Sequence, residues 1–532
     1  MPGWVSTSSA VRRERCGMQR DMQRDAAAVP GALPAVGAGL ASSVAGAARG
    51  PFEVYVHVPF CMRRCGYCDF NTYTAPDLGE GASRGNYARM AVREMELVRT
   101  WQVANGIEEP AACSVFFGGG TPTILPAADL VAMLDAVRRI WGLEPGAEVT
   151  TEANPDTVDA DYIKRLADGG FTRISFGMQS AVPSVLRTLD RRHTPANVEA
   201  GVRAADACGL RSSVDLIYGA PGESLEDWRT SVRAAVNLGV NHISAYALTI
   251  APRTTMGRMI AAGRLPKPSD DDEAAKYEIA DEAFAAAGLT WYEISNWARP
   301  GFESRHNLGY WRNVDWAGIG PGAHSHYRFA GCGPSESSAR ALLGNTDSEC
   351  EQDSLLAQDS RQAQDSPNTR DAGVTATVNA TAAAQDTGIE STTAAQNADA
   401  APVGMRAWDT AHPRAWAHQI NAATVPWAGS EAITARQDAE ETLMLGLRLH
   451  EGFDTARFAS IIPLEAWRQL ESEGLIRLEP GPHNSCNLQG PLVPSDALIA
   501  SGLSDSPRLL AVPTLRGRLL NDLIIERLFD YL

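Results

Sequence analysis

The run Cys61-Met-Arg-Arg-Cys65-Gly-Tyr-Cys68 constrains this chain of 532 residues more than any other segment. Three thiolates at C-x3-C-x2-C spacing can hold three irons of a cubic [4Fe–4S] cluster, which ordinarily takes four cysteines. A loop with only three leaves one iron open, so a further ligand is implied there. The run follows a short apolar strand, Val54-Tyr55-Val56-His57-Val58, and a Pro59-Phe60 turn, which places the cysteines on a loop at a strand end. The alternative is a zinc knuckle. Zinc would need a fourth Cys or His at similarly short spacing, and His57 precedes the loop on the strand, poorly placed to close it.

Between residues 51 and 250, short apolar runs alternate with longer amphipathic ones. The expected strands are 53–58, 113–117, 147–152, 172–176, 212–217 and 241–247. Helical spacing of Ala, Leu, Val and Ile marks the segments between them. Such strand–helix repeats predict an α/β fold with a parallel sheet and helices on its outer face. The cysteines, a Gly118-Gly119-Gly120-Thr121-Pro122 run and Glu152 each sit just past or at the end of a strand, as functional residues of an α/β barrel do.

The composition changes from Gly331 to Arg406, where there is no Phe, Tyr or Trp and Ala, Thr, Ser, Gln, Asn and Asp dominate. A segment of that kind buries too little apolar surface to offset its ordering entropy, so 331–405 is expected to be a disordered insertion. Residues 1–50 are expected to be a flexible tail. Its uncharged stretch 26–48 is mostly Ala and Gly, broken by Pro30 and Pro34, and too weakly apolar for a membrane span. A formal charge of −17 argues against non-specific nucleic-acid binding. Nine cysteines without a paired framework fit a reducing, cytoplasmic setting, with Cys113 and Cys208 as buried thiols.

Eight blocks carry a family resemblance, in order YVHVPFCMRRCGYCDF (55–70), FFGGGTP (116–122), TEANPDT (151–157), RISFGMQS (173–180), DLIYGAPGE (215–223), YEISNWA (292–298), SRHNLGYW (304–311) and GIGPGAHS (318–325). The chain resembles the radical S-adenosylmethionine (SAM) superfamily and, within it, the HemW haem chaperones of the HemN-like group. The resemblance is close over 51–330 and looser over 406–532. It implies a partial (β/α)6 barrel over 51–330 and a small winged-helix-like C-terminal domain over 406–532, with 480–510 as an extended wing loop. It also implies that Cys61, Cys65 and Cys68 bind the cluster, and that SAM chelates the open iron and is cleaved to a 5′-deoxyadenosyl radical. Gly119, Gly120 and Thr121 would meet the methionine end of SAM. Glu152, Gln179, Arg191 and Asp215 match further SAM contacts, Tyr55 and Tyr67 match positions flanking SAM and the cluster, and Ala247 is a candidate adenine contact. Arg191 could equally form a surface ion pair.

The SRHNLGYW block carries the H-N-x-x-Y-W pattern associated with HemW proteins. His306 is therefore a candidate haem ligand, with Tyr310 and Trp311 offering a planar apolar surface, against the alternative of a structural histidine in aromatic packing. His324 is the second candidate. Two functions fit the resemblance. One is a chaperone that binds haem and delivers it to apoproteins. The other is an oxygen-independent coproporphyrinogen III dehydrogenase, whose family carries a fourth cysteine two residues beyond the triplet. That position is Phe70 here, which favours the chaperone. The reading expects haem and haem-accepting apoproteins as partners, no nucleic acid and no stable membrane insertion, and leaves a homodimer open.

Overall fold

The computed structural model describes residues 50–329, 402–481 and 508–532. The tail, nearly all of the 331–405 insertion and most of the 480–510 wing loop lie outside the described residues.

Alternation of side chains along β1 (Phe52–Val58) sets the layout. Phe52, Val54, Val56 and Val58 are buried against the helical layer, while Glu53, Tyr55 and His57 point to the opposite, inner face. The next strands repeat this arrangement: β2 (Ala112–Gly119), β3 (Leu143–Ala153), β4 (Arg173–Gln179), β5 (Arg211–Tyr218) and β6 (His242–Ala247). All six pair in parallel and in chain order. The crossovers contain α1 (Tyr87–Ala104), α2 (Ala127–Ile140), α3 (Ala160–Asp168), α4 (Pro183–Thr188), α5 (Pro195–Ala207) and α6 (Leu225–Asn237). Reciprocal side-chain caps at Thr194/Asn197 and Ser224/Asp227 start α5 and α6. This is the expected (β/α)6 unit, and it stays open. The second neighbour of β6 is the antiparallel β8 (Asn296–Ala298), followed by β7 (Thr290–Glu293), and that of β1 is the parallel β9 (Asp315–Ile319).

Beyond β9 the sheet continues through antiparallel β10 (His324–Arg328), β11 (Gly404–Asp409) and β12 (Trp427–Ile433). The segment expected to form one unit from 406 onward is thus divided between two cores. Met405, Ala407, Trp416 and Ile420 belong to the core under the large sheet. Trp416, on α10 (Pro413–Asn421), stacks on Tyr87 of α1 with ring centroids 5.6 Å apart. The pairing of β10 with β11 joins strands far apart in the chain, and local alternation carries no signal for such a partner.

A second core contains Leu443, Phe453, Trp467, Ile476 and Ile524. It lies among α11 (Ala435–Gly446), α12 (Leu464–Ser472), α14 (Asn521–Phe529) and a three-stranded antiparallel sheet of β13 (Phe453–Asp454), β15 (Leu509–Pro513) and β14 (Ile476–Pro480). It is tied to the first by ion pairs Arg328–Asp438 at 2.9 Å and Arg518–Asp281 at 2.8 Å. The remaining helices are α7 (Thr255–Ala261), α8 (Asp270–Ala286), whose Tyr277, Ala280 and Phe284 join the first core, α9 (Arg305–Trp311), and α13 (Leu515–Leu519) preceding α14. Among the described residues, no helix is long and apolar enough to cross a membrane.

Because Trp416 is fully buried between α10 and α1, Trp416→Ala should destabilise the large-sheet core by about 3–5 kcal/mol. Denaturant titration followed by near-UV circular dichroism checks this; an unchanged midpoint would mean that residues 404–433 do not belong to that core.

Candidate cofactor site

The cysteine loop leaves the carboxyl end of β1 and is held on several sides. Cys61 N–H donates to the Tyr73 carbonyl at 3.0 Å, and Tyr73 N–H returns to Pro59 at 2.7 Å. Asn71 Nδ2 donates to the carbonyls of Pro321 and Ala411 at 2.8 and 2.7 Å. Arg84 reaches the Cys61 carbonyl at 2.9 Å, and Met256 N–H the Gly66 carbonyl at 2.8 Å. Thr121 Oγ1 lies 3.6 Å from Cys61 Sγ, and Arg191 Nη1 lies 3.7 Å from Cys65 Sγ. Burial pushes the Cys61 thiol up to about 11 and also raises Cys68. These thiols keep their protons near neutrality until a cation displaces them. Among the described residues, no three His, Cys, Asp or Glu side chains are grouped as ligands of a single metal ion.

Beside the loop lies a shelf that only glycine can build. A Cβ on Gly120 would stand 2.7 Å from the Phe60 carbonyl oxygen, and one on Gly119 would stand 2.5 Å from the His57 ring. Gly119 also takes φ 103°, in the left-handed region. The peptide N–H groups here are already engaged. Gly119 donates to Glu152 Oε2 at 3.2 Å, Gly120 to the Val58 carbonyl at 2.8 Å and Thr121 to the Phe60 carbonyl at 2.8 Å.

Glu152 and Asp215 face each other across the inner surface of β3 and β5. Burial, with the neighbouring Asp215 charge, pushes Glu152 up to about 8 against the opposing Gly119 hydrogen bond. Burial also raises Asp215, although Ser244 and Ser175 hydrogen bonds oppose the shift. Ser175 Oγ lies 3.0 and 2.9 Å from the two Asp215 carboxyl oxygens. Gln179 takes φ 60° at a register shift between β4 and β5, and its Oε1 is buried without a partner. Arg191 Nη2 contacts the Asn154 side chain and the Gly177 carbonyl, the latter at 3.0 Å. Burial opposes its charge, but Tyr67 and Cys65 hold it protonated, so it is no surface ion pair. Tyr55 OH meets His57 Nδ1 at 3.0 Å. The expected residues Tyr55, Tyr67, Gly119, Gly120, Thr121, Glu152, Gln179, Arg191 and Asp215 thus line one region with the three cysteines. Ala247 is exposed at the carboxyl end of β6.

His306 lies elsewhere. It is 1% exposed, on α9, whose first N–H groups at Arg305 and His306 are received by Glu148, each at 3.2 Å. Its Nδ1 is 2.7 Å from Ser114 Oγ, and its ring stacks on Phe116 at 5.0 Å, with Tyr310 edge-on at 4.8 Å. Burial lowers it to about 3, so the imidazole is neutral. The structural alternative raised from the sequence describes this environment, because a planar ligand has no access to the ring. Phe116 in turn stacks on Tyr55 at 6.3 Å, so the block underlies the site rather than facing solvent.

Two residues were missed. His57 supports Gly119; its Nε2 donates to the Asn71 carbonyl and its Nδ1 accepts from Tyr55 OH, each at 3.0 Å, and its place two residues after Tyr55 on an inner-facing strand was the available signal. Asn154, two residues after Glu152, holds Arg191.

The radical SAM superfamily profile matches residues 55–235. A protein of Mycobacterium tuberculosis named heme chaperone HemW is 48% identical over 277 residues, covering 52% of this chain and 70% of that relative. This chain belongs to the HemW family. A HemW of Bacillus subtilis is 35% identical over 278 residues, covering 52% of this chain and 70% of its own. The fold is also that of the solved coproporphyrinogen III oxidase HemN from Escherichia coli, with a TM-score of 0.60, 17% identity and 91% of each chain covered. Radical SAM membership implies a [4Fe–4S] cluster and SAM. Three thiols, a glycine shelf and the Glu152 carboxyl, which has no cation among the groups that shift it, fit both groups.

In the ligand-free HemW-family fold, Glu152 binds its proton up to about pH 8, against 4.5 for an ordinary glutamate. The folded state then holds more protons than the unfolded one between these values, so stability should fall as pH rises through this window. Glu94 and Glu293, both pushed to about 7 by burial, act with the same sign. Denaturation of the cofactor-free protein at several pH values should therefore show a shallower decline in Glu152→Gln, most clearly between about pH 7 and 8; identical slopes would contradict this protonation state.

Proposed function

We propose that this protein is a haem chaperone that binds a [4Fe–4S] cluster, SAM and haem, and passes haem to apoproteins. The observation that carries the reading is the cysteine loop of a HemW-family chain ending in exposed Phe70 rather than in a further cysteine. Cys61, Cys65 and Cys68 would hold three irons. The Gly119–Thr121 shelf would receive the methionine end of SAM. Since its N–H groups are engaged internally, an ammonium group would meet peptide oxygens here. Glu152 and Asp215 would balance the ligand's positive charge, and both would be deprotonated in doing so. Arg191 would link the cluster edge to the SAM chamber, with Gln179, Tyr55 and Tyr67 closing its walls. When bound, the cluster and SAM supply one-electron reductive chemistry. The unpaired thiols of Cys61, Cys65, Cys68, Cys113 and Cys208 suit a reducing cytoplasm.

The second reading, a coproporphyrinogen III dehydrogenase, rests on the shared HemN fold, and the residue at position 70 disfavours it. Anaerobically reconstituted protein should bind haem stoichiometrically and release no CO2 from coproporphyrinogen III in the presence of SAM and a reductant. Sustained, SAM-dependent CO2 release would establish the dehydrogenase instead. In the same preparation Cys65→Ala should lose the cluster's iron, sulfide and reduced-state EPR signal; full iron loading in that variant would remove the cluster assignment.

A further inference from the structure

The haem-chaperone reading needs a side chain that can reach the iron, and buried His306 does not supply one. We propose, resting on that reading, that His324 is the axial haem ligand and that the Trp408 ring is the platform for the porphyrin plane. His324 opens β10 and is exposed. It stands directly opposite Trp408 in the antiparallel pairing of β10 with β11, so both side chains share one face. Their rings are 6.4 Å apart and 33° from parallel. A Cβ on Gly429 of β12 would come within 2.5 Å of the Trp408 ring, so this glycine lets the indole lie flat over the neighbouring strand.

The ring of His324 is also prepared for a metal. Partial burial of the ring lowers its pKa, so the imidazole carries a lone pair near neutrality, as a ligating histidine must. By contrast, His57 is buried with both nitrogens engaged, and His326 is buried against Trp316.

The rim suits a flat apolar molecule bearing carboxylates. Phe70 and Met62, on the cysteine loop, are 63% and 68% exposed. Asn71 fastens that loop to the Pro321 carbonyl at 2.8 Å, and a Cβ on Gly322 would stand 2.8 Å from the same amide. The exposed aromatic therefore borders the segment that leads into His324. Arg64, exposed, donates to the Phe70 carbonyl at 3.2 Å, and its guanidinium is placed to meet a propionate. The site would lie beside the cluster loop, on the extension of the sheet that β10, β11 and β12 add.

The test uses the full, cluster-loaded chain titrated with ferric haem, read by EPR of the haem iron and by the rate of haem loss to apomyoglobin. His324→Ala should lose the axial-ligand signal and release haem faster, with cluster iron and sulfide unchanged. His324→Gly should regain the signal when imidazole is added, which a purely structural role would not produce. His412→Ala is the control, since His412 is also exposed but its Nδ1 already accepts from Arg414 N–H at 3.2 Å; it should behave like the parent. If the parent binds haem and His324→Ala retains the same signal and loss rate, or if His412→Ala alone abolishes them, the assignment is overturned while the chaperone reading stands. If the parent binds no haem, the chaperone reading fails and the ligand assignment with it.

Discussion

A carboxyl group withdrawn from water with a second carboxylate nearby is costly to ionise, and Glu152 on the inner face of the sheet bears that cost, while Arg173 and Arg191 relieve it at Asp215. Glu152 and Asp215 come from different strands, β3 and β5, and the Asp215 charge adds to the cost of ionising Glu152. Ser175 and the Gly119 N–H supply hydrogen bonds without supplying charge. The local solution is protonation of Glu152; the functional one is a positively charged ligand. A ligand with an ammonium and a sulfonium group meets that demand, and the glycine shelf beside Glu152 leaves room for it.

The cysteine loop stands at the rim of this chamber because its neighbours fix it there. It carries little regular structure of its own, and its position is set by hydrogen bonds to Tyr73, Pro321, Ala411 and Met256. Two of these anchors, Pro321 and Ala411, belong to the sheet extension formed by β9 to β12, which therefore helps to place the three cysteines. Beneath the chamber, α9 closes the space inside the strands. His306, Phe116 and Tyr55 form a stacked column there, and Gly309 is required because a Cβ would overlap the Glu53 carboxylate. The HNLGYW block is therefore built into the support of the SAM chamber. A haem ligand at His306 would be walled off by this column, whereas His324 at the start of β10 is exposed.

Much of this was legible in the sequence. Short apolar runs set between longer amphipathic segments marked all six parallel strands, since strands covered by helices are rich in apolar residues. The candidate site residues were named mainly through the family resemblance, helped by their position at strand ends, since a glycine triplet alone is more often a tight turn. Other features depended on tertiary placement. The union of β11 with β10 bridges a long insertion, and neither strand names its partner. In SRHNLGYW, a histidine followed by aromatics one turn on looks alike whether the rings face a porphyrin or pack inside a sheet. Only the packing of α9 against β1 and β2 decides between them. Asn154 has no local signature and acts through Arg191, and His57 is marked only by its alternation with Tyr55 on β1.

The central claim is that the chamber under the cysteine loop is built for a cation and holds Glu152 protonated until one arrives. Isothermal calorimetry of SAM binding to the cluster-loaded protein near pH 7, in buffers of different ionisation enthalpy, counts the protons exchanged. The account predicts release of about one proton per SAM bound, abolished in Glu152→Gln. Binding without proton release, or with the same release in that variant, would contradict it.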